Sequence, residues 1–324
     1  MYRMENDGMP GKTKGKIALL MAGIVAASAI MSLFTGVSHH KTGGIRVVAS
    51  FYPVYIAALN LTDGMEGVAV ESLTQPQTGC LHDFQLSPEN MIALTGADAL
   101  LINGAGAEAF LDQVAAQLPD LPVVDSSQGI ELLPAGHVHE HDEEEDEEDD
   151  DHAHAFYNEH IWASPQRYRK QVENLRDGLI RLDPAHAADY EANAAVYLAK
   201  VDAAAERLQS AVREAATRAC ITFHDSLQYF ARDLGLTPVA ALTMGEEAGV
   251  SAADLAVAQQ AAAAADKVLL LYDSQYPVEY AYVGDGASWS RTLSLDMGVT
   301  GKTDKDAWLQ AMEGNAQALE AAFG

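Results

Sequence analysis

The segment from His137 to Pro165 constrains this chain most, because no packed core can accommodate its first half. An unbroken acidic run extends from Asp142 to Asp151, and histidines stand on both sides of it. Ten adjacent carboxylates repel one another and hold their water, so we predict a solvated loop. Imidazole binds zinc and carboxylates attract divalent cations, which favours a metal-collecting loop over a plain acidic linker. The histidines concerned are His137, His139, His141, His152 and His154.

Length and charge narrow the class of protein. The 324 residues suffice for two domains, and a hydrophobic content of 48% supports packed cores. A net charge of −27 argues against nucleic acid and anionic membrane surfaces as partners, and it suits a cationic ligand. Cys80 and Cys220 are too few for a disulfide scaffold or a four-cysteine zinc module, and they could form one bridge or remain buried thiols.

Residues 1–44 are interpreted as a signal or anchor segment with its linker. Three lysines precede an apolar run from Ile17 to Phe34, which is the pattern of an export signal. Its 18 residues are at the lower limit for spanning a bilayer, so the segment could be cleaved or kept as an anchor. The charge distribution places the rest of the chain outside the cytoplasm. No cysteine stands near the end of the run, so we expect no lipid attachment.

Residues 45–184 are predicted to form a first α/β lobe that includes the acidic loop. Short apolar runs begin at Ile45, Gly67, Asp98 and Leu121, with helical patterns between them. This alternation indicates a parallel sheet. One of the helices is predicted over 104–117, with Glu108 and Asp112 facing outward. In a later helix the basic cluster 167–170 is expected on an exposed face.

A linking helix is predicted over 185–216, followed by a second lobe over 217–324. A helix of this length measures about 45 Å, which exceeds one small lobe, although half of a helical hairpin is an alternative. The second lobe repeats the first in outline, with strand patterns ending near His224, Leu242, Tyr272 and Asp296.

Three histidines on separate loops indicate one metal site between the lobes. His82 and His224 follow strands, where α/β sheets bind ligands, and His160 begins the element after the acidic loop. On position alone, His82 could equally be an exposed loop histidine capped by Asp83. Three imidazoles with an oxygen from Asp296 or water would suit zinc, whereas manganese would call for more oxygen ligands. The chain contains no His-Glu-x-x-His, Gly-x-Ser-x-Gly or phosphate-loop motif.

A series of short motifs in a fixed order runs through residues 45–324. They are Ser50–Pro53, His82–Pro88, Ala97–Glu108, His160–Trp162, Leu182–Pro184, Tyr190–Asn193, Thr222–Asp225, Leu295–Asp296 and Met312–Asn315. With these motifs the chain resembles the solute-binding receptors of zinc and manganese ABC importers.

The resemblance implies two lobes, each with a mostly parallel four-stranded sheet, joined by one long helix with the metal between them. It implies His82, His160 and His224 as ligands. Asp296 is the best match for a fourth ligand, with Glu159 or water as alternatives. Zinc receptors tend to have histidine at the position of His224, where manganese receptors tend to have glutamate, so the resemblance favours Zn²⁺ over Mn²⁺.

Two stretches depart from the family pattern. Leu81 stands where the family often has proline, and its neighbour Cys80 could be an extra ligand or a buried thiol. The segment 279–289 also departs from the pattern, so the resemblance implies less about the geometry around Asp296.

The expected function is a monomeric, extracytoplasmic, non-enzymatic receptor that delivers Zn²⁺ to an ABC-type membrane permease. The loop histidines would act as accessory ligands. Because neutral imidazole binds the metal, affinity should fall as the pH drops through about 6.5. The long helix should limit movement of the lobes. Alternatives are a zinc-dependent hydrolase with Glu159 or Asp296 as general base, or a surface adhesin or metal buffer without a permease.

Overall fold

Two four-stranded sheets, each parallel throughout, organise the structure. This computed structural model describes residues 44–74, 84–135, 157–213, 215, 217–242, 252–265, 267–274 and 291–323. The first sheet has the order β2-β1-β3-β4, formed by β1 (Ile45–Ala49), β2 (Val68–Ser72), β3 (Ala99–Ile102) and β4 (Val123–Asp125). All four residues of the inner strand β3 are apolar and buried, as expected for a parallel sheet covered on both faces.

Four helices accompany the first sheet: α1 (Tyr52–Leu61), α2 (Pro88–Thr95), α3 (Leu111–Gln117) and α4 (Pro165–Leu182). Proline occupies the first turn of α1, α2 and α4. Helix α2 begins with a reciprocal cap, in which the Ser87 hydroxyl accepts from the Asn90 amide and the Asn90 side chain accepts from the Ser87 amide. The cap satisfies two backbone donors that the first helical turn leaves unpaired.

The prediction that Glu108 faces outward is wrong. The helix predicted from 104 begins only at Leu111, because Gly104, Ala105 and Gly106 all have positive φ angles that a right-handed helix cannot contain. This turn directs Glu108 inward, where the residue is only 5% exposed. The expected exposure of Asp112 is confirmed.

Helix α5 (Ala187–Arg213) leads from the first half of the chain to the second. Its 27 residues correspond to about 40 Å. One stripe of the helix, which includes Tyr190, Tyr197, Val201 and Leu208, is buried at helical spacing. The helix packs mainly against α4 and against the last helix of the chain. The predicted long connecting helix is thus confirmed, whereas the residue limits of the four predicted segments stay a prediction.

The second sheet has the order β6-β5-β7-β8, which matches the first. Its strands are β5 (Ala219–Phe223), β6 (Thr237–Leu242), β7 (Leu269–Asp273) and β8 (Arg291–Leu295). The helices of this half are α6 (Ser226–Asp233), α7 (Ala252–Ala263) and α8 (Ala307–Phe323). Cys220 lies buried on β5 as a free thiol, and Cys80 lies outside the described residues.

A buried aromatic cluster connects the two halves. Tyr168 of α4 stacks on Trp308 of α8 with ring centroids 4.2 Å apart. The Trp308 ring nitrogen donates to the Trp162 carbonyl, and the Trp162 ring nitrogen donates to the Met297 carbonyl. One hydrophobic core therefore includes residues of both sheets and the long helix between them. No helix in the described ranges combines the length and the apolar character needed to cross a membrane.

Candidate metal centre

His160 is buried at the junction between the acidic loop and helix α4. It precedes a single 3-10 turn, Ile161–Ala163, which leads into Ser164, whose hydroxyl caps α4. Its exposed fraction is 4%, and its ring lies tilted against that of Trp162 at 5.1 Å. The short turn directs the imidazole inward, and α4 begins directly after the turn. The motif His-Ile-Trp therefore stands immediately before the helix.

The side chain of Asn158 determines which nitrogen of His160 carries the proton. Its oxygen Oδ1 accepts from the backbone amide of His160 at 3.0 Å, and it lies 3.0 Å from Nδ1 of the same residue. Because an amide oxygen can only accept, the ring must donate from Nδ1–H. A neutral His160 then has its lone pair on Nε2, where a metal ion can bind.

His224 occupies the residue directly after β5, on the other side of the candidate site. Its backbone has φ +81°, a left-handed conformation that is unfavourable for residues other than glycine by about 1–2 kcal/mol. Its ring centroid is 5.1 Å from that of His160, with the ring planes at 85°. The structure therefore brings together two histidines that are 64 residues apart in sequence.

The ring of His224 has a different hydrogen-bond partner. The backbone amide of Ser226 donates to its Nδ1 at 3.2 Å. A neutral ring that accepts at Nδ1 carries its proton on Nε2. To bind a cation through Nε2, His224 must exchange tautomer and give up the bond from Ser226. Of the two histidines, His160 is the one whose Nδ1 partner favours the tautomer with the lone pair on Nε2.

Three carboxylates stand around this pair or at the neighbouring strand ends. Glu159 is 2% exposed, with Oε1 3.7 Å from Nδ1 of His160. Asp273 ends β7 beside β5 and is 1% exposed, and it accepts a 3.3 Å bond from the Ser226 hydroxyl. Asp296 follows β8 and is exposed, and its carboxylate accepts from the Gly298 amide. Asp273 and Asn158 were absent from the sequence-based candidates, although a polar residue directly after a buried strand was a usable signal for Asp273.

The other predicted ligands lie outside the described residues: His82, Cys80, His137, His139, His141, His152 and His154. Within the described ranges, no group of three histidine, cysteine, aspartate or glutamate side chains is arranged to hold a metal ion. The three-histidine set therefore stays a prediction. Pro134 forms an antiparallel bridge with Tyr157.

Comparison with known proteins identifies the family. The family model described as ZnuA, zinc-uptake complex component A, periplasmic, matches residues 47–322. This chain belongs to that family. The expected resemblance to the receptors of zinc and manganese ABC importers is confirmed. A periplasmic family also agrees with the predicted extracytoplasmic location, while the export signal and the absence of lipid attachment stay predictions.

Individual relatives bind different metals. The zinc-binding protein AdcA of Streptococcus pyogenes serotype M3 is 28% identical over 311 residues, which are 92% of this chain and 56% of AdcA. The iron-binding protein YfeA of Yersinia pestis is 29% identical over 196 residues, which are 60% of this chain and 58% of YfeA. The chain thus spans a little over half the length of these curated relatives.

The likeness extends to solved structures. A crystal structure of a ZnuA deletion mutant with zinc bound has a TM-score of 0.68 and 23% identity, and the match covers 87% of this chain and 98% of that one. At this identity the likeness shows the fold alone. It confirms the predicted fold, two α/β lobes with parallel four-stranded sheets joined by a long helix.

Proposed function

We propose that this chain is an extracytoplasmic zinc receptor that captures Zn²⁺ between its two halves and delivers it to an ABC-type permease. The observation that carries the proposal is the pairing of His160 and His224, whose rings lie 5.1 Å apart at the boundary of the two sheets. Imidazole nitrogens are favoured zinc ligands, and the Asn158 contact at Nδ1 of His160 favours the tautomer that binds metal through Nε2. The chemistry is capture and release, with no reaction on the ligand.

His82, which follows β2 in the sequence, is proposed as the third ligand. Asp296 is proposed as the fourth, with Glu159 or water as alternatives. Asp296 follows the strand β8, which pairs with β7, and the adjacent Met297 carbonyl accepts from Trp162, two residues from His160. The loop histidines between His137 and His154 are proposed as accessory sites that raise the local zinc concentration.

Zinc is proposed as the cargo rather than manganese or iron. Two of the proposed ligands, His160 and His224, would bind the metal through nitrogen, which suits zinc, whereas manganese sites are richer in oxygen ligands. The family description and the name of AdcA support zinc, while the name of YfeA makes iron the competitor to test.

The test is metal affinity by chelator competition on the full chain, with Zn²⁺, Mn²⁺ and Fe²⁺ measured separately. The variants are His160→Ala, His224→Ala and a deletion of residues 136–156. The matched control is His186→Ala, since His186 is a half-exposed histidine at the start of α5 whose ring contacts Asp183 rather than the candidate site.

We expect one tight zinc to survive the loop deletion and the control substitution, and to be lost or weakened at least about 100-fold in either site variant. The proposal fails if the loop deletion removes all tight zinc while His160→Ala and His224→Ala leave it intact. In that case the chain would be an acidic metal buffer on a receptor fold.

A further inference from the structure

We infer that Asn158 is the positioning residue of the metal centre: it holds His160 in the zinc-binding tautomer and ties that histidine to the backbone beside His224. The inference rests on the proposed function, because it names a residue that prepares the same site. Asn158 itself contacts no metal in this arrangement, since both ends of its amide are already used.

The orientation of the Asn158 side-chain amide follows from two hydrogen-bond partners, one that can only donate and one that can only accept. The backbone N–H of His160 can only donate, so the atom that faces it is the oxygen. The Asp225 carbonyl can only accept, and the amide nitrogen of Asn158 donates to it at 2.8 Å. With the oxygen thus placed, the His160 ring 3.0 Å away must present Nδ1–H.

The neighbouring carboxylate of Glu159 is farther from the His160 ring nitrogen than the Asn158 oxygen is. Oε1 of Glu159 lies 3.7 Å from Nδ1 of His160, beyond the length of an N–H···O hydrogen bond. Asn158 is 1% exposed, so water does not compete freely for the ring. The bond from ring to amide oxygen therefore favours one tautomer before any metal arrives, which lowers the free-energy cost of binding.

The backbone of Asn158 is held as firmly as its side chain. Its amide donates to the Leu133 carbonyl at 2.8 Å, and its carbonyl accepts from the Tyr229 hydroxyl at 2.7 Å. Tyr229 belongs to α6, the helix that starts two residues after His224. Asn158 thus receives support from the first half of the chain and from α6, the helix that follows the other histidine.

The decisive measurement is the tautomer of His160 in the metal-free full chain. Nitrogen-15 shifts of the imidazole ring separate Nδ1–H from Nε2–H forms, and the His160 signals are assigned by their loss in His160→Ala. At pH 8, where histidine is mostly neutral, we expect the wild type to show the Nδ1–H form. Asn158→Ala should lose this preference and should weaken zinc binding by about 10- to 100-fold.

Asn158→Asp separates the two roles of this side chain, which are to fix the tautomer of His160 and to bind the backbone beside His224. A carboxylate oxygen can still accept from His160, so the Nδ1–H tautomer should persist, whereas the bond to the Asp225 carbonyl is lost because a carboxylate cannot donate. Asn174→Ala is the control, since its amide also donates to two backbone carbonyls, those of Ser126 and Gln128, away from the histidines. It should change neither the tautomer nor the zinc affinity.

The inference is overturned if Asn158→Ala keeps the wild-type tautomer, or if Asn158→Asp loses it in a protein whose circular dichroism is native. The tautomer of His160 is measured without metal, so the result does not depend on whether zinc binds at this site. Should His160→Ala fail to weaken zinc binding, the proposed site is wrong, yet the tautomer measurement still decides whether Asn158 positions the ring.

Discussion

At the scale of single residues, Glu108 is a buried acid whose hydrogen bonds within the described ranges come from uncharged donors. Its Oε1 accepts from the Ser50 hydroxyl at 2.7 Å and the Asn103 amide at 2.8 Å, and its Oε2 accepts from the Gly104 amide at 3.0 Å. Burial raises the pKa of Glu108 to about 7; these hydrogen bonds oppose the shift and the charge of Asp125 adds to it.

The raised pKa predicts a loss of stability with rising pH. Below the ordinary value of 4.5 the acid is protonated in both the folded and unfolded chains, and the stabilisation is fully present. Between pH 4.5 and about 7 only the folded chain holds the proton, so the free energy of unfolding falls, by on the order of 3 kcal/mol. Urea unfolding of wild type and Glu108→Gln across this range should show the decrease in the wild type alone.

The contrast with Glu71 provides the control. The Arg46 guanidinium lowers the pKa of Glu71, so its neutralisation costs stability as the pH falls, the opposite direction. Glu71→Gln should therefore keep the decrease between pH 4.5 and 7. A Glu108→Gln protein whose pH profile parallels that of the wild type would contradict the assignment.

At the scale of elements, helix α6 is docked to the start of α4 through Asp233. The Asp233 carboxylate accepts from the Ser164 hydroxyl and from the Arg167 guanidinium, with Nε at 2.9 Å. The guanidinium also lies 4.5 Å over the ring of Tyr229. An acid at a helix C-terminus interacts unfavourably with the helix dipole, and the Arg167 guanidinium opposite Asp233 offsets this interaction. Contrary to the prediction for the 167–170 cluster, Arg167 is thus a half-buried structural residue, with a side chain 16% exposed.

Asp233→Asn should lower the free energy of unfolding by about 2 kcal/mol, because it replaces charge-assisted hydrogen bonds by neutral ones in a half-buried site. Urea denaturation measures the change. The control is Asp177→Asn, whose partner Arg176 is its neighbour in sequence and whose side chain is 48% exposed. That variant should stay within about 0.5 kcal/mol of the wild type. Equal decreases in the free energy of unfolding of the two variants would show that the Asp233 contacts stabilise the fold no more than an exposed ion pair does.

At the scale of the whole molecule, hydrogen bonds between the two halves argue for small lobe movements. The Leu133 amide donates to the Tyr229 hydroxyl at 2.8 Å, and that hydroxyl donates to the Asn158 carbonyl at 2.7 Å. The Trp162 ring nitrogen donates to the Met297 carbonyl at 3.0 Å. Together with α5, these buried bonds hold His160 and His224 in proximity, and a wide hinge rotation would break them.

We therefore expect zinc to change the distance between the halves by less than about 2 Å. Spin labels at the exposed positions Ile92 and Val257 would report it by pulsed electron resonance. A Cys80→Ser background leaves Cys220 as the native thiol, and burial raises its pKa to about 12, so it should resist labelling. A label pair at Ile92 and Val123, both before α5, is the control, and a zinc-dependent shift confined to the first pair would contradict the prediction.

The sequence by itself determined the class of the molecule. Alternation of strand and helix patterns predicted both parallel sheets, and the Ser-Pro starts of α2 and α4 predicted where these helices begin, because caps and periodicity act over a few residues. The motif order predicted the family. The placement of His160 before α4 and His224 after β5 was also readable, since both stand at boundaries of local patterns.

Only the tertiary structure decided how side chains far apart in sequence meet. Glu108 turned inward because a left-handed turn delays its helix, and Arg167 became half-buried because Asp233 lies opposite it. Asn158 became the residue between the two histidines through partners on both halves of the chain. The contacts of Asn158 with Asp225 and of Arg167 with Asp233 join residues more than 60 positions apart, which no local pattern encodes. For the same reason, the tautomers of the two histidines could be argued only once their neighbours were known.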